Sequence, residues 1–323
     1  MKTVAVIGLG NIATRHRRNL KLLFPQCKLL AMPASGRVPT GTVPDCDQVV
    51  MNIAQVIDAQ VDFALVASPA TCHADHTIPL LQAGIPTLIE KPVTSDLEDA
   101  LRLASVAKAT QTPVAVGYCL RYLPSAVKVH QLLQTQAIGT LYNVYVEIGQ
   151  YLPDWRPSKD YRDSVSANAN LGGGALLELS HELDYSQWLL GPLAIQFAQL
   201  RSSQELALEV EDMADIIATT ESGALVNIHL DFLQRKAHRR CRFVGSQGVI
   251  EWDLISNRVV QTSDGGEQVI YSDSEWDKNQ MYLNMLSDFV SQKQPRQYAE
   301  LEQAVEVVGM IDQIKQKALW KQS

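Results

Sequence analysis

The side chains best placed to do chemistry in this sequence stand where apolar runs end. Glu90-Lys91-Pro92 follows Pro86–Ile89, which reads as a short buried strand, so an ammonium group is held at a strand terminus. A cation fixed there can hydrogen-bond an oxygen whose charge changes during hydride transfer. Partial burial would lower its pKa and allow proton exchange. The plainer alternative is a surface Lys–Glu pair. Gly8-Leu9-Gly10-Asn11-Ile12-Ala13 ends the apolar run Val4–Gly8 and opens a helix. Gly8 permits the tight turn, Gly10 clears the approach of a pyrophosphate, and Ala13 lets helix pack on strand. Amides at the helix start, at Asn11 and Ile12, would face the phosphates. A dinucleotide hydride carrier beside a fixed ammonium implies alcohol–carbonyl redox chemistry.

Further candidates surround these two. The second strand ends in Ala31-Met32-Pro33-Ala34-Ser35-Gly36-Arg37, with no carboxylate to repel a ribose 2′-phosphate. Ser35 could hydrogen-bond that phosphate and Arg37 could pair with it, which favours NADP; if Arg37 only stacks on adenine, NAD is equally acceptable. Ser68 and Pro69 follow the strand ending at Ala67 and are expected to line the cofactor. His73 is grouped with them, as a ligand contact or as the start of the next helix, and His16 carries the same ambiguity. Tyr118 and Arg121 leave the last strand of the first half. Trp155, Arg156, Tyr161 and Arg162 occupy a loop before Gly172-Gly173-Gly174. Arginine with aromatic residues suits a sugar bearing a carboxylate or phosphate; a loop that only packs over the cleft explains them nearly as well.

The elements that must position these residues fall into two patterns. Through residue 122, short apolar runs (Val4–Gly8, Lys28–Met32, Val61–Ala67, Pro86–Ile89, Pro113–Val116) alternate with helical stretches (Thr14–Phe24, Cys72–Ala83, Ser95–Thr110). Doubly apolar strands with helical crossovers predict an α/β doubly wound, parallel Rossmann sheet. From residue 123 the pattern changes. A helix at Ser125–Thr135 and a long alternating strand at Thr140–Gln150 precede a polar loop. The triple glycine opens a helix running to about Gly191, and seven strands follow between Ala194 and Tyr271. Gly-containing turns join several of them, which predicts a mainly antiparallel sheet. Amphipathic helices near Asp277–Gln292 and Glu300–Lys317 close the chain, and they could pack back on the first domain. The expected domains are therefore 1–122, binding the cofactor, and 123–323, binding substrate and supporting association.

Composition narrows the partners. Of 323 residues, 46% are hydrophobic and 20% charged, and the net charge is −7. That opposes phosphate-driven binding of nucleic acid. The cluster Arg235, Lys236, His238, Arg239, Arg240 and Arg242 reads as a solvated sheet face, with a subunit contact or anionic-substrate rim as alternatives. The five cysteines form no C-x-x-C pair, which implies reduced thiols and a cytoplasmic protein. No apolar run is long enough for a membrane helix, so no membrane partner is expected.

Taken in order, Gly8 to His16, Ser68-Pro69 with His73, Glu90-Lys91-Pro92, Gly117-Tyr118 with Arg121 and Pro124, and the triple glycine with His181 and Asp184 resemble the Gfo/Idh/MocA oxidoreductases. The resemblance implies a Rossmann domain followed by an α/β domain on a large, mainly antiparallel sheet. It also implies association as a homodimer or homotetramer through that sheet's open face. It implies a sugar, cyclitol or nucleotide-sugar substrate, with Lys91 polarising its oxygen and His181 as general acid/base. Many members carry Asp four residues before that histidine. Here the position is Leu177, and Glu178 stands three before, on the same face of a helix. Glu178 would orient His181 or bind a hydroxyl, with Asp184 beside it; a lone Glu-x-x-His lacks the second copy a metal centre needs, so no metal is expected. The loop Asp154–Arg162 with Leu179–Asp184 looks like a subgroup tied to bacterial surface-polysaccharide and nonulosonic-acid clusters. The departure at Leu177 leaves room for a catalytically inactive, NADP-binding regulatory or scaffold protein. A dehydrogenase that never releases its cofactor is a third reading.

Overall fold

The computed structural model describes residues 2–155, 157, 160–292 and 296–322. The chain forms two compact units, Met1–Cys119 with Asn279–Val308, and Leu120–Lys278 with Gly309–Ser323.

In the first unit, β1 (Thr3–Ile7), β2 (Lys28–Met32), β3 (Gln48–Val49), β4 (Phe63–Val66), β5 (Thr87–Ile89) and β6 (Val114–Val116) run parallel. Helices α1 (Asn11–Leu23), α2 (Ile53–Asp58), α3 (His73–Gln82) and α4 (Leu97–Thr110) lie between them. The order across the sheet is β6-β5-β4-β1-β2-β3. Val4, Ala5, Val6 and Ile7 are all buried, as are Phe63 to Val66, because helices cover both faces of such a sheet. The chain moves from β1 outward to β3, then crosses back to β4 on the other side of β1. This reversal leaves a crevice at the carboxyl ends of β1 and β4, where doubly wound sheets take ligands.

In the second unit, α5 (Pro124–Gln134) and β7 (Leu141–Gly149) precede a series of single turns between Leu152 and Leu171. Then come α6 (Ala175–Glu178), α7 (His181–Leu190), β8 (Leu193–Ser202), β9 (Met213–Thr220), β10 (Leu225–Asp231), β11 (His238–Gly245), β12 (Gly248–Asp253), β13 (Arg258–Ser263) and β14 (Gly266–Ser272). The last elements are α8 (Gln280–Ser291), β15 (Ala299–Glu300), α9 (Leu301–Lys317) and β16 (Leu319–Gln322). The second sheet runs β14-β13-β12-β11-β7-β10-β9-β8-β16. Its pairs are antiparallel except β7 with β10 and β8 with β16. Burial alternates along β9: Ala214, Ile216, Ala218 and Thr220 face the core, while Asp215, Ile217 and Thr219 face out. α5 packs on β12 to β14, α6 on β9 and β10, and α7 on β7. The Trp252 indole donates to Ser125 Oγ at 2.8 Å, tying sheet to α5. The opposite face is open and shows Tyr145, Phe197 and Leu225.

β15 pairs antiparallel with β6, and α8 packs on α1, so residues 279–308 belong to the first unit. One expectation changes. The helix expected to run from the triple glycine to Gly191 is two helices, interrupted at Leu179 and Ser180. They are anchored from different strands. Glu211, just before β9, accepts from the Leu176 amide at 3.1 Å and thereby pins α6. Arg239 of β11 holds Glu182 of α7 through both carboxylate oxygens, at 2.7 and 3.0 Å. Glu178 and His181 therefore do not share one continuous helical face; each stands at the end of its own short helix.

Candidate active site

The glycine turn follows β1 and is fixed from three sides. Gly8 has φ +116°, and a Cβ there would lie 2.3 Å from the Ala67 carbonyl oxygen, so no other residue fits. Its amide donates to Met32 O at 2.7 Å. Gly10 differs: its φ is −69°, and nothing lies within 4 Å of where a Cβ would stand. That open space, with the Asn11 and Ile12 amides at the start of α1 and Ala13 fully buried beneath, fits a dinucleotide diphosphate. Arg17, which the sequence reading passed over, donates to Gly8 O at 3.2 Å, Thr14 Oγ1 at 2.8 Å and Pro44 O at 2.9 Å. Burial lowers its pKa, with Cys46 and Asp45 opposing. Its signal in the sequence is one arginine among three in Arg15-His16-Arg17-Arg18, with nothing to mark which is buried. Ser35 and Arg37 are exposed on the turn after β2, where Ser35 Oγ accepts from the Arg37 amide at 3.4 Å.

Ser68 and Pro69 are half-buried after β4, and Ser68 Oγ lies 3.0 Å from His76 Nδ1. His73 begins α3 and is not a surface contact. Its Nε2 is 2.8 Å from Ser68 O, and its Nδ1 is 3.0 Å from Pro92 O and 3.2 Å from Val93 O. Burial lowers its pKa against the pull of those carbonyls and of Glu90. The ring buttresses the loops after β4 and β5, in keeping with the alternative that it starts the next helix. Glu90, expected with Lys91 as a cofactor contact, is buried too. It is 7% exposed, with Oε1 2.6 Å from His16 Nε2 and Oε2 accepting from the Lys91 amide at 3.1 Å. A Cβ on Gly117 would come within 3.3 Å of that carboxyl. Glu90 thus lies behind Lys91, which is half-buried at the carboxyl end of β5 and joined to Pro92 by a cis peptide. Tyr118 follows β6 and is fully buried.

In the second unit, His181 opens α7 and is half-buried. Glu178 closes α6, and its Oε2 accepts from Ser166 Oγ at 3.1 Å. Gly174, at φ +106°, has no room for a side chain because the Glu211 carboxylate would be 2.4 Å from it. Burial raises the Glu211 carboxyl, with backbone hydrogen bonds and Lys315 opposing. Arg121 and Asp184 meet each other rather than solvent: Nε to Oδ2 is 3.1 Å and Nη2 to Oδ1 is 2.6 Å, at 3% and 1% exposure. That mutual burial gives the pair a supporting part in the second unit. Trp155 and Tyr161 line a cavity of about 330 Å³ with Leu152, Asp160, Asp163 and Ser166. Trp155 packs edge-on against Phe232, and Tyr161 donates to Leu206 O at 3.0 Å. Arg156 lies outside the described residues. Among the described residues no cluster of His, Cys, Asp or Glu could hold a metal, and no helix is long and apolar enough to cross a membrane.

Residues 2–118 match the profile described as "Oxidoreductase family, NAD-binding Rossmann fold", and residues 126–251 match "GFO/IDH/MocA C-terminal domain". The fold and glycine turn are those of an NAD(P)-dependent oxidoreductase. The chain belongs to the Gfo/Idh/MocA family. Inositol 2-dehydrogenase 1 of Saccharopolyspora erythraea is 26% identical over 282 residues, covering 84% of this chain and 79% of that protein. Levoglucosan dehydrogenase, solved with NADH, shares the fold with a TM-score of 0.83 at 16% identity, over 98% of this chain and 96% of that one. UDP-N-acetylglucosamine 3-dehydrogenase GnnA from Acidithiobacillus ferrooxidans gives 0.77 at 18%, over 98% and 97%.

Proposed function

We propose that the protein is a dehydrogenase or reductase acting on a secondary alcohol or ketone of a sugar, cyclitol or nucleotide-linked sugar. Lys91 polarises the substrate oxygen, and His181 gives or takes its proton. Bound nicotinamide supplies or accepts the hydride. The observation that carries the reading is the placement of Lys91 along the sheet edge. The glycine turn, Ser68-Pro69 and Lys91 leave the carboxyl ends of three neighbouring strands, β1, β4 and β5. Lys91 therefore stands about 10 Å, two strand spacings, from the diphosphate turn. Ser35 and Arg37 leave β2 on the other side of β1. A dinucleotide bound at the glycine turn would be held at its adenosine end by Ser35 and at its nicotinamide end by Lys91.

Ser35 and Arg37, exposed and with no carboxylate between Pro33 and Arg37, support NADP as the preferred cofactor, with NAD as a weaker alternative. The Trp155–Tyr161 cavity supports a polyhydroxylated substrate, because aromatic faces pack on sugar C–H groups while Asp160, Asp163 and Ser166 offer partners for hydroxyls. The names of the relatives, inositol 2-dehydrogenase and levoglucosan dehydrogenase, support the same class. We take residues 1–122 as the cofactor domain, completed by 279–308, and the rest as the substrate domain. Association through the open face at Tyr145, Phe197 and Leu225 follows the same reading.

The test is turnover with NADP and NAD against a panel of free and nucleotide-linked sugars and cyclitols, in wild type and Lys91→Met. The variant is expected to lose about 10²- to 10⁴-fold in kcat while still binding cofactor. Turnover near wild type in Lys91→Met would remove Lys91 from the mechanism. Arg37→Ala is expected to raise the KM for NADP and leave that for NAD unchanged.

A further inference from the structure

Arg17 is a deeply buried cation whose hydrogen-bond partners among the described residues are all neutral. It is 1% exposed, and its three hydrogen bonds go to the carbonyls of Gly8 and Pro44 and the hydroxyl of Thr14. The other arginine so buried among the described residues, Arg121, is matched bidentately by Asp184. No ion pair among the described residues engages Arg17. Asp45 is near enough to act on it through space, but Asp45 is exposed to water. A guanidinium stays charged under any ordinary condition. Burying it against neutral oxygens, with only Cys46 and the exposed Asp45 acting on it through space, leaves a positive potential that the protein cancels only in part.

That potential lies at a specific place. Side chains on a helix lean toward its N-terminus, so Arg17, six residues after Asn11, reaches back to the turn that starts α1. Its contact with Gly8 O holds the guanidinium against the glycine turn, two residues before the open Gly10. The helix N-terminus adds its own partial positive charge at the same end. We infer that Arg17 is the resident counter-charge of the cofactor's diphosphate, raising affinity for the phosphates from behind the glycine turn without touching them. The inference rests on the glycine turn being the dinucleotide site. It assigns Arg17 a role distinct from the Pro44 hydrogen bond, which any donor of similar length could serve.

The experiment measures equilibrium binding of ADP-ribose, NADPH and adenosine to the full-length protein by calorimetry, in wild type, Arg17→Gln and Arg17→Lys. Arg17→Gln keeps hydrogen-bond donors and loses the charge; Arg17→Lys keeps the charge and loses most of the hydrogen-bond fan. Arg17→Gln is expected to weaken ADP-ribose and NADPH at least about tenfold and to leave adenosine within about twofold. Arg17→Lys is expected to stay within about threefold of wild type for all three. Equal losses for adenosine and ADP-ribose in Arg17→Gln would show only a deformed site and overturn the inference, as would no loss for ADP-ribose. Parallel loss of ADP-ribose in Arg17→Lys, with adenosine retained, would assign the effect to the hydrogen-bond fan and overturn it too. Failure of wild type to bind either phosphate-bearing ligand would instead remove the dinucleotide reading of the turn.

Discussion

His16 of α1 and Glu90 at the end of β5 are joined by a 2.6 Å hydrogen bond between two almost fully buried side chains, 74 residues apart in sequence. The pair fixes the backbone from which Lys91 projects. Burial pushes the Glu90 carboxyl up, but the His16 hydrogen bond and the charges of His16 and Lys91, with the Lys91 amide, bring it below its ordinary 4.5. A carboxyl depressed in the folded state contributes stability above its unfolded pKa and loses it as pH falls through the folded one. Urea unfolding of wild type and Glu90→Gln should therefore differ by about 1–3 kcal/mol at pH 7, and the gap should shrink steadily below about pH 4.5. A gap independent of pH would mean that the carboxylate charge contributes nothing.

Gly8 and Gly10 should respond oppositely to the same substitution. Gly8→Ala drives a Cβ into the Ala67 carbonyl from a left-handed backbone, and is expected to cost about 3 kcal/mol or more of fold stability. Gly10→Ala adds a methyl into open space at an ordinary φ. It should leave the thermal midpoint unchanged while weakening NADPH about tenfold or more, because the methyl occupies the phosphate approach. Thermal melts with and without cofactor separate the two effects.

The Arg121–Asp184 pair should behave as one unit. Removing either partner breaks a buried, two-pronged ion pair, so Asp184→Asn or Arg121→Met is expected to cost about 3–5 kcal/mol. Asp184→Leu combined with Arg121→Met removes both charges and should cost much less than the sum of the singles. A double-mutant cycle by denaturant unfolding reads this coupling. Additive losses would contradict the geometry.

On the open face of the second sheet, His229 lies between Asp215 at 2.6 Å and Asp231 at 2.9 Å, with Arg201 on the far side of Asp215 and Gln234 donating to Asp231. Hydrogen bonds to the two carboxylates raise its pKa to about 9, against burial. A histidine raised in the folded state stabilises fully below its ordinary pKa and loses that contribution as pH rises through the folded value. Stability should therefore fall by roughly 2 kcal/mol between about pH 6.5 and pH 9, and His229→Gln should flatten that decline. An unchanged slope in the variant would assign the decline elsewhere.

The first sheet was legible because its signals are local. Val4–Ile7 is apolar throughout and ends in a glycine pattern, and both facts survive any tertiary context. β3 and α2 escaped notice because they have two and six residues, too few for a period to register. The break between α6 and α7 carries no Pro or Gly; its anchors, Glu211 and Arg239, lie far along the chain. The same holds for the parallel pairing of β7 with β10, since a half-buried strand alternates alike in either direction. Lys91 and His181 were visible as residue types at strand and helix ends. The surroundings of Lys91 and the fixing of the glycine turn were not, because nothing local shows that His16, Arg17 and Glu90 are buried or which groups they meet.

The antiparallel strand β15 has a consequence for synthesis. It caps β6 using residues 299 and 300, so a ribosome-bound chain carrying the first six strands still presents a bare edge of amides and carbonyls. Such edges recruit other strands. The first half of this protein therefore stays vulnerable to clumping through most of its translation, until the distant segment emerges and closes that side.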